Sequence, residues 1–259
     1  MSRDSEVWRQ LGTVVDPELD ESVTELRFVT AVAIDAAGAV QVTFRLPTYW
    51  CAANFAFLMA EDMRLAVASL PWVTEVEVVL GEHMYAETIN TGIAAKRSFQ
   101  SAFGDAADGD LEAVRRTFLV KAFQRRQVAL VEHLMAKGYA PEALAGLAIA
   151  GLRSLDNDDA LTTLIARYLD RRAVVGPADD LAPAFVDEAG LAVPPTAFRA
   201  HIRALRRVAV NVEFNGALCR GLLAARFNEE EAADREPGLL DFIHALPAEK
   251  RSGETPWPK

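Results

Sequence analysis

Residues 46–52, Leu-Pro-Thr-Tyr-Trp-Cys-Ala, join a run of alternating apolar residues to a stretch with helical apolar spacing, and they contain one of only two cysteines in the chain. The change of period marks a strand-to-helix junction. If Thr48 is the N-cap of the helix, Cys51 is its third residue, and the unpaired first-turn amides and the helix dipole favour a reactive thiolate. The alternative for Cys51 is a small buried residue that fills the junction.

The patterns on both sides of this junction predict a compact unit in the order α-β-β-α-β. Runs rich in β-branched residues are typical of strands, and apolar residues three and four apart are typical of helices. The predicted elements are a helix over 5–14, a hairpin of strands over 26–34 and 40–46 around the turn Asp35-Ala36-Ala37-Gly38, a helix over 52–70 and a strand over 73–80.

Beyond residue 80 the sequence becomes helical after a stretch with no sustained period. Residues 81–109 mix Gly, Thr, Ser, Asn and Asp, which predicts a linker, and helical spacing then covers 111–137, 141–152, 158–172 and 196–228. The predicted fold class is α+β. Its parts are a small N-terminal α-β-β-α-β domain with a mixed sheet over 1–82, a linker over 83–109, an all-α helical domain over 110–246 and a mobile tail over 247–259.

The charge of the chain is concentrated at its beginning. The formal net charge is −10, and residues 1–95 carry 5 Lys and Arg against 14 Asp and Glu. Such an acidic surface repels nucleic acid and anionic membranes and suits cationic partners or metal ions, with solubility as the alternative reason. The chain has no apolar run of membrane-span length and no export signal, so we expect a cytoplasmic protein with reduced thiols.

Two short motifs give the N-terminal unit a family resemblance. Asp16-Pro17-Glu18-Leu19 follows the first predicted helix, and Thr48-Tyr49-Trp50-Cys51 precedes the second. With the α-β-β-α-β order, residues 5–80 resemble the iron-sulfur cluster assembly family, which includes the phenylacetate-pathway PaaD proteins, SufT-like proteins and the cytosolic iron-sulfur targeting subunit of eukaryotes. The resemblance implies that Cys51 binds iron or a cluster, and that the nearby cofactor-binding positions are Thr48, Asp16 and Glu18.

The chemistry of these residue types agrees with that role. Iron and sulfide favour a soft thiolate, and a nearby carboxylate can hold iron or accept a proton. A single cysteine cannot complete the usual four-thiolate cage, so a second subunit or a partner would supply further ligands, and transient carriage is expected. Two residues depart from the family pattern: Ala52 stands where a proline is usual, and Arg27 where a glycine is usual.

The predicted function is therefore iron-sulfur cluster assembly or metalloenzyme maturation, with transient handling of iron or a cluster at Cys51 and no enzymatic activity. The expected partner is a client metalloenzyme, such as a subunit of a multicomponent diiron oxygenase, and a homodimer is compatible with the missing ligands. The helical domain would recognise the client. Two alternatives stay open: a metal-free docking module for an oxygenase, and an enzyme with Cys51 as nucleophile beside a base.

Other candidate sites are weaker. The four histidines and two cysteines show no zinc-binding spacing, and Asp105, Asp108 and Asp110 lack the spacing of a calcium loop, so Asp110 is predicted to cap a helix. Cys219 lies among apolar helix positions and is predicted to serve packing. A helix face with Arg199, Arg203, Arg206 and Arg207 docks the acidic first domain or an acidic partner, or is simply solvated.

Overall fold

The computed structural model of the chain describes residues 2–106, 110–155 and 158–227. A small mixed sheet with helices comes first and a helical region follows, so the predicted α+β class is confirmed. The elements are α1 Arg3–Leu11, β1 Val29–Ile34, β2 Ala39–Phe44, α2 Ala53–Ala68, β3 Glu75–Leu80, α3 Ala86–Ala94, α4 Phe99–Phe103 with a 3-10 turn Gly104–Ala106, α5 Leu111–Ala136, α6 Pro141–Ala145, α7 Ile149–Arg153, α8 Asp159–Arg172 and α9 Pro195–Phe227.

The sheet has the order β1-β2-β3, with β1 antiparallel and β3 parallel to β2. The predicted hairpin turn is confirmed: the Asp35 carboxylate accepts the amide hydrogen of Ala39 at 2.8 Å. Gly38 has φ +91°, and a Cβ there would lie 2.6 Å from the carbonyl oxygen of Trp72, so the turn requires glycine. Because a parallel pair needs a crossover, the chain passes through α2 between β2 and β3.

The stretch after β3 is not the irregular linker that its composition predicts. It forms α3 and α4, and Ile89, Ile93 and Phe99 are buried in the same core as the sheet. The Asn90 side chain accepts the Leu80 amide hydrogen at 2.8 Å and donates to the Leu80 carbonyl at 3.1 Å, which fixes α3 at the end of β3. Tertiary packing therefore overrides the weak local pattern, and the division into domains stays a prediction.

The helical region has its own core around Phe123, Tyr168 and Phe185. Two predicted helix starts are confirmed, because the Asp110 and Asp158 side chains cap α5 and α8. The single helix predicted over 141–152 is wrong, since the chain breaks at Gly146 into α6 and α7. None of the helices in the described ranges combines the length and apolar character of a membrane span. The predicted tail over 247–259 lies outside those ranges.

The two regions meet through an acidic turn, residues 16–21, that lies against α5, α8 and α9. Asp20 is buried and receives two hydrogen bonds from Arg126, at 2.6 and 2.8 Å, and one from Arg171 at 3.3 Å. The helical region therefore does supply arginines to the acidic first part of the chain.

The arginines that dock this turn are not the ones whose helical spacing suggested it. Arg199 pairs with Glu142 at 2.7 Å and Arg206 pairs with Glu132 at 2.6 Å, both within the helical region. The prediction that Arg199 and Arg206 bind the acidic N-terminal part of the chain is therefore wrong. Helical spacing identifies a shared face but not the element that the face contacts.

Candidate functional site

Cys51 lies in the connection between β2 and α2. Helix α2 begins at Ala53 with Ala52 as N-cap, and no side chain caps it. The expectation that Thr48 caps this helix, with Cys51 as the third helical residue, is therefore wrong. The Thr48 hydroxyl lies 3.1 Å from Cys51 Sγ and forms a hydrogen bond with it, so the two residues form a small turn before the helix.

The Cys51 thiol is half-buried beside a projecting part of the loop. One side of the residue packs against the core of the sheet unit. The two preceding residues, Tyr49 and Trp50, point outward, and Trp50 is 72 % exposed. The sulfur is thus neither sealed in the core nor free on the surface.

The buried side chain of His83, which follows β3, forms a hydrogen bond with the Cys51 backbone. His83 Nδ1 accepts the Tyr85 amide hydrogen at 3.2 Å, so the ring hydrogen is on Nε2, which donates to the Cys51 carbonyl at 2.8 Å. Burial lowers the pKa of His83 and the nearby Arg226 charge lowers it further, while the bond to Cys51 opposes the shift. The ring is therefore neutral at pH 7.

His83 is a site residue that the sequence interpretation missed, although a signal existed. It follows β3 by three residues, and Cys51 follows the parallel neighbour β2. Carboxyl ends of parallel neighbours meet at one sheet edge, so residues after β2 and β3 were candidates to approach each other. The Met84 amide confirms the pairing by donating to the Tyr49 carbonyl at 2.9 Å.

Asp16 organises the acidic turn. Its Oδ1 accepts amide hydrogens from Glu18 at 2.9 Å and Leu19 at 2.8 Å. The residue is only 8 % exposed, and burial raises its pKa to about 6 against the effect of these two hydrogen bonds, with the charges of Glu18 and Glu21 adding to the rise. Asp16 can therefore exchange a proton close to neutral pH.

Helix α9 connects this turn to the second cysteine. Asn215 donates to Glu18 Oε1 at 2.9 Å, and Cys219 lies one helical turn further along α9. Burial raises the pKa of Cys219 to about 11, and the charges of Asp16, Cys51 and Glu18 raise it further. Cys219 packs against the core of the sheet unit, in agreement with the packing role predicted for it.

A hydrogen bond joins Thr48 to Cys51, and another joins Asp16 to the Glu18 amide, but these residues do not form a finished metal centre. We use the name thiol site for this group: Asp16, Glu18, Thr48, Cys51 and Cys219. Across the described ranges, no three His, Cys, Asp or Glu side chains are already arranged to hold a metal ion. Thiolates and carboxylates are ligand types that iron accepts in proteins.

A comparison with protein-family models matches the first part of the chain. Residues 4–78 match the family model of iron-sulfur cluster assembly proteins. The iron-sulfur cluster assembly segment contains the acidic turn, the hairpin, Cys51 and most of β3. It ends before His83 and Cys219. Neither the curated proteins nor the solved structures give a significant match to the chain.

The two residues that depart from the family pattern keep the backbone shape that the usual residues favour. Arg27 has φ 58°, in the left-handed region where glycine is least strained. Ala52 has φ −56°, which is within the range of proline. The substitutions therefore change side chains in the iron-sulfur cluster assembly segment while its local path is retained.

Proposed function

We propose that the chain is an iron-sulfur cluster assembly or metalloenzyme maturation factor that carries iron or a cluster transiently at Cys51 and passes it to a client protein. One observation carries this proposal: a half-buried thiol is held at the edge of the sheet by Thr48 and His83, inside a segment that matches the assembly family. The proposed role is carriage without catalysis. Reduced thiols of this kind suit a cytoplasmic chain.

The carboxylate of Asp16 supports the proposed loading of iron. A cysteine thiol must lose its proton to bind iron, so loading releases protons into the site. Asp16 has a pKa of about 6 and can take up such a proton near neutral pH. Because Asp16 Oδ1 accepts two amide hydrogens, the proton would reside on Oδ2.

The surface next to Cys51 supports delivery to another protein. Four large side chains beside the thiol form what we call the apolar rim, and they are Tyr49, Trp50, Met84 and Tyr85. Exposed aromatic and methionine side chains are enriched where proteins bind each other. We propose that a client metalloenzyme, for instance a subunit of a multicomponent diiron oxygenase, docks on this rim, with a second copy of the chain as the competing partner.

Anaerobic reconstitution tests the proposed carriage. The full chain and Cys51→Ser are incubated with ferrous iron and sulfide, desalted, and assayed for iron, sulfide and visible absorption. We expect wild type to retain both and Cys51→Ser to retain almost none. Transfer is then measured to an apo-ferredoxin acceptor. Equal retention by the two proteins would remove Cys51 from the ligand role and overturn the proposal.

A metal-free docking module is the second candidate function. It is favoured by the apolar rim together with the lack, within the described residues, of a preformed group of three metal ligands. Trp50→Ala separates the two functions because it removes the most exposed rim side chain and leaves the thiol. A docking module would lose client co-purification with Trp50→Ala and keep it with Cys51→Ser.

The thiol-enzyme alternative needs a base at the sulfur. His83 comes close to Cys51, but its Nε2 donates to the Cys51 carbonyl and its Nδ1 is used by the Tyr85 amide. The hydrogen-bond partner of Sγ is the Thr48 hydroxyl, which is not a base at neutral pH. We therefore favour carriage over nucleophilic catalysis.

A further inference from the structure

Helix α9 is fixed along the thiol site at two places. On one side, Asn215 bonds Glu18 at 2.9 Å, and Arg220 pairs with Glu21 at 2.7 Å, so the helix is tied to the acidic turn. On the other side, Arg226 donates to the Leu46 carbonyl at 3.1 Å, at the start of the Cys51 loop. The helix therefore spans from the acidic turn to the Cys51 loop.

Cys219 lies between these two fixed points on the same helix face. Residues 215, 219, 223 and 226 follow the spacing of three and four that aligns side chains along one side of a helix. Leu223 is buried in the core of the sheet unit, and Cys219 and Cys51 both pack against that core from outside. Cys219 is thus half-buried on the face of α9 that runs from Glu18 to the start of the Cys51 loop.

We propose that Cys219 is a second thiolate donor for the cargo held at Cys51, so that the helical region completes a site which the iron-sulfur cluster assembly segment begins. The inference rests on the proposed function and adds a ligand from outside the matched residues. Two thiolates from one chain leave two positions of a tetrahedral iron for sulfide or for ligands of the client.

Binding of iron by Cys219 would require the loss of the thiol proton. Burial and three neighbouring acidic groups raise its pKa to about 11, so the thiol is protonated before loading. Binding to iron replaces the S–H bond with an S–Fe bond, and the proton passes to water or Asp16.

A dithiol reagent tests the pairing without any iron. Phenylarsine oxide joins its arsenic to two thiols and releases one water. We expect one equivalent to bind reduced wild type tightly, and to bind Cys51→Ser and Cys219→Ser at least about tenfold more weakly, because a chelate has a high effective concentration. The control is Leu218→Ala, which truncates an exposed neighbour on α9. Wild-type binding no tighter than that of either single-thiol variant overturns the inference.

Iron and sulfide loading then tests the role of the pair. We expect Cys219→Ser and Cys219→Ala to retain less than about half of the wild-type iron after desalting, since a chelating ligand is lost. Leu218→Ala should retain the wild-type amount. Thermal unfolding checks that each variant is folded.

The outcomes separate the inference from the proposed function. Full retention by both Cys219 variants, with loss in Cys51→Ser, overturns the inference and leaves the proposed function standing. A wild type that binds the arsenical across both thiols but retains no iron or sulfide overturns the proposed function, and with it the cargo assigned to the pair.

Discussion

The acidic turn and the Cys51 loop border the same site, but they are held in opposite ways. The turn is buried and fixed by side-chain charges, above all Asp20 between Arg126 and Arg171. The Cys51 loop is fixed through main-chain carbonyls, which bind His83 and Arg226, while its aromatic side chains stay exposed. The difference indicates that the turn is a rigid support and the loop is the surface that presents the thiol.

The largest effect is expected from breaking the support. Asp20→Asn leaves the guanidinium groups of Arg126 and Arg171 without their buried counter-charge. We expect the free energy of unfolding, measured in urea, to be at least about 3 kcal/mol lower than that of wild type. The matched control is Asp170→Asn. Asp170 pairs with the same two arginines but is 59 % exposed in its side chain, against 3 % for Asp20. Its loss should cost under about 1 kcal/mol, and equal losses would contradict a buried support.

A second change should stabilise the turn. The pKa of Asp16 is raised to about 6 in the folded protein from 3.8, so its ionised form is disfavoured on folding. The contribution of Asp16 to wild-type stability is therefore expected to fall as pH rises from about 4 to about 6, by at most about 3 kcal/mol. Asp16→Asn keeps the acceptor for the two amides and should be more stable at pH 7.5, without that pH dependence. Stability curves of both proteins from pH 4 to 8 give the answer, and a difference between the two curves that stays constant from pH 4 to 6 would contradict the assignment.

The loop should respond through reactivity more than through stability. In a Cys219→Ser background, Cys51 is the single thiol of the chain. His83→Ala removes the donor to the Cys51 carbonyl, and we expect a loss of about 1–2 kcal/mol in stability. Alkylation of Cys51 by iodoacetamide should be several-fold faster because the loop opens more often.

The pH response of this bond has a defined sign. Because the folded protein lowers the pKa of His83 below its usual 6.5, protonation is disfavoured on folding, and stability is lost as pH falls below about 6.5. Protonated His83 can no longer accept the Tyr85 amide hydrogen. His83→Ala should lack this acid-side loss, and an identical loss in both proteins would show that other groups cause it.

The smallest effect is expected at Arg27, which follows the acidic turn in the chain. Arg27 has φ 58°, and Arg27→Gly should relieve backbone strain and raise stability by up to about 1 kcal/mol. Lys96, with φ 52°, offers an independent site for the same change. Arg9→Gly, inside helix α1, is the opposite control and should lower stability by about 1 kcal/mol. Thermal unfolding ranks the three, and destabilisation by Arg27→Gly would show that its side chain outweighs the strain.

Parts of the site were predictable and parts were not, for a physical reason. The hairpin around Gly38 and the helix cap at Asp110 depend on residues within four positions of each other, so local patterns predicted them. Helix α3 was not predicted because the Thr, Asn and Gly residues around its two buried isoleucines, Ile89 and Ile93, leave no clear apolar periodicity. Its stability comes from packing on β3.

The sequence by itself determined the order of the elements, the acidic character of the first part and the motifs that identify the iron-sulfur cluster assembly segment. Only the tertiary structure decided that Arg226 and His83 come to the Cys51 loop and that Arg126 and Arg171 bind Asp20. These partners are separated by 32 residues or more along the chain. Local spacing cannot encode such contacts, because they form only when the packing of α9 and α5 against the sheet unit brings distant segments together.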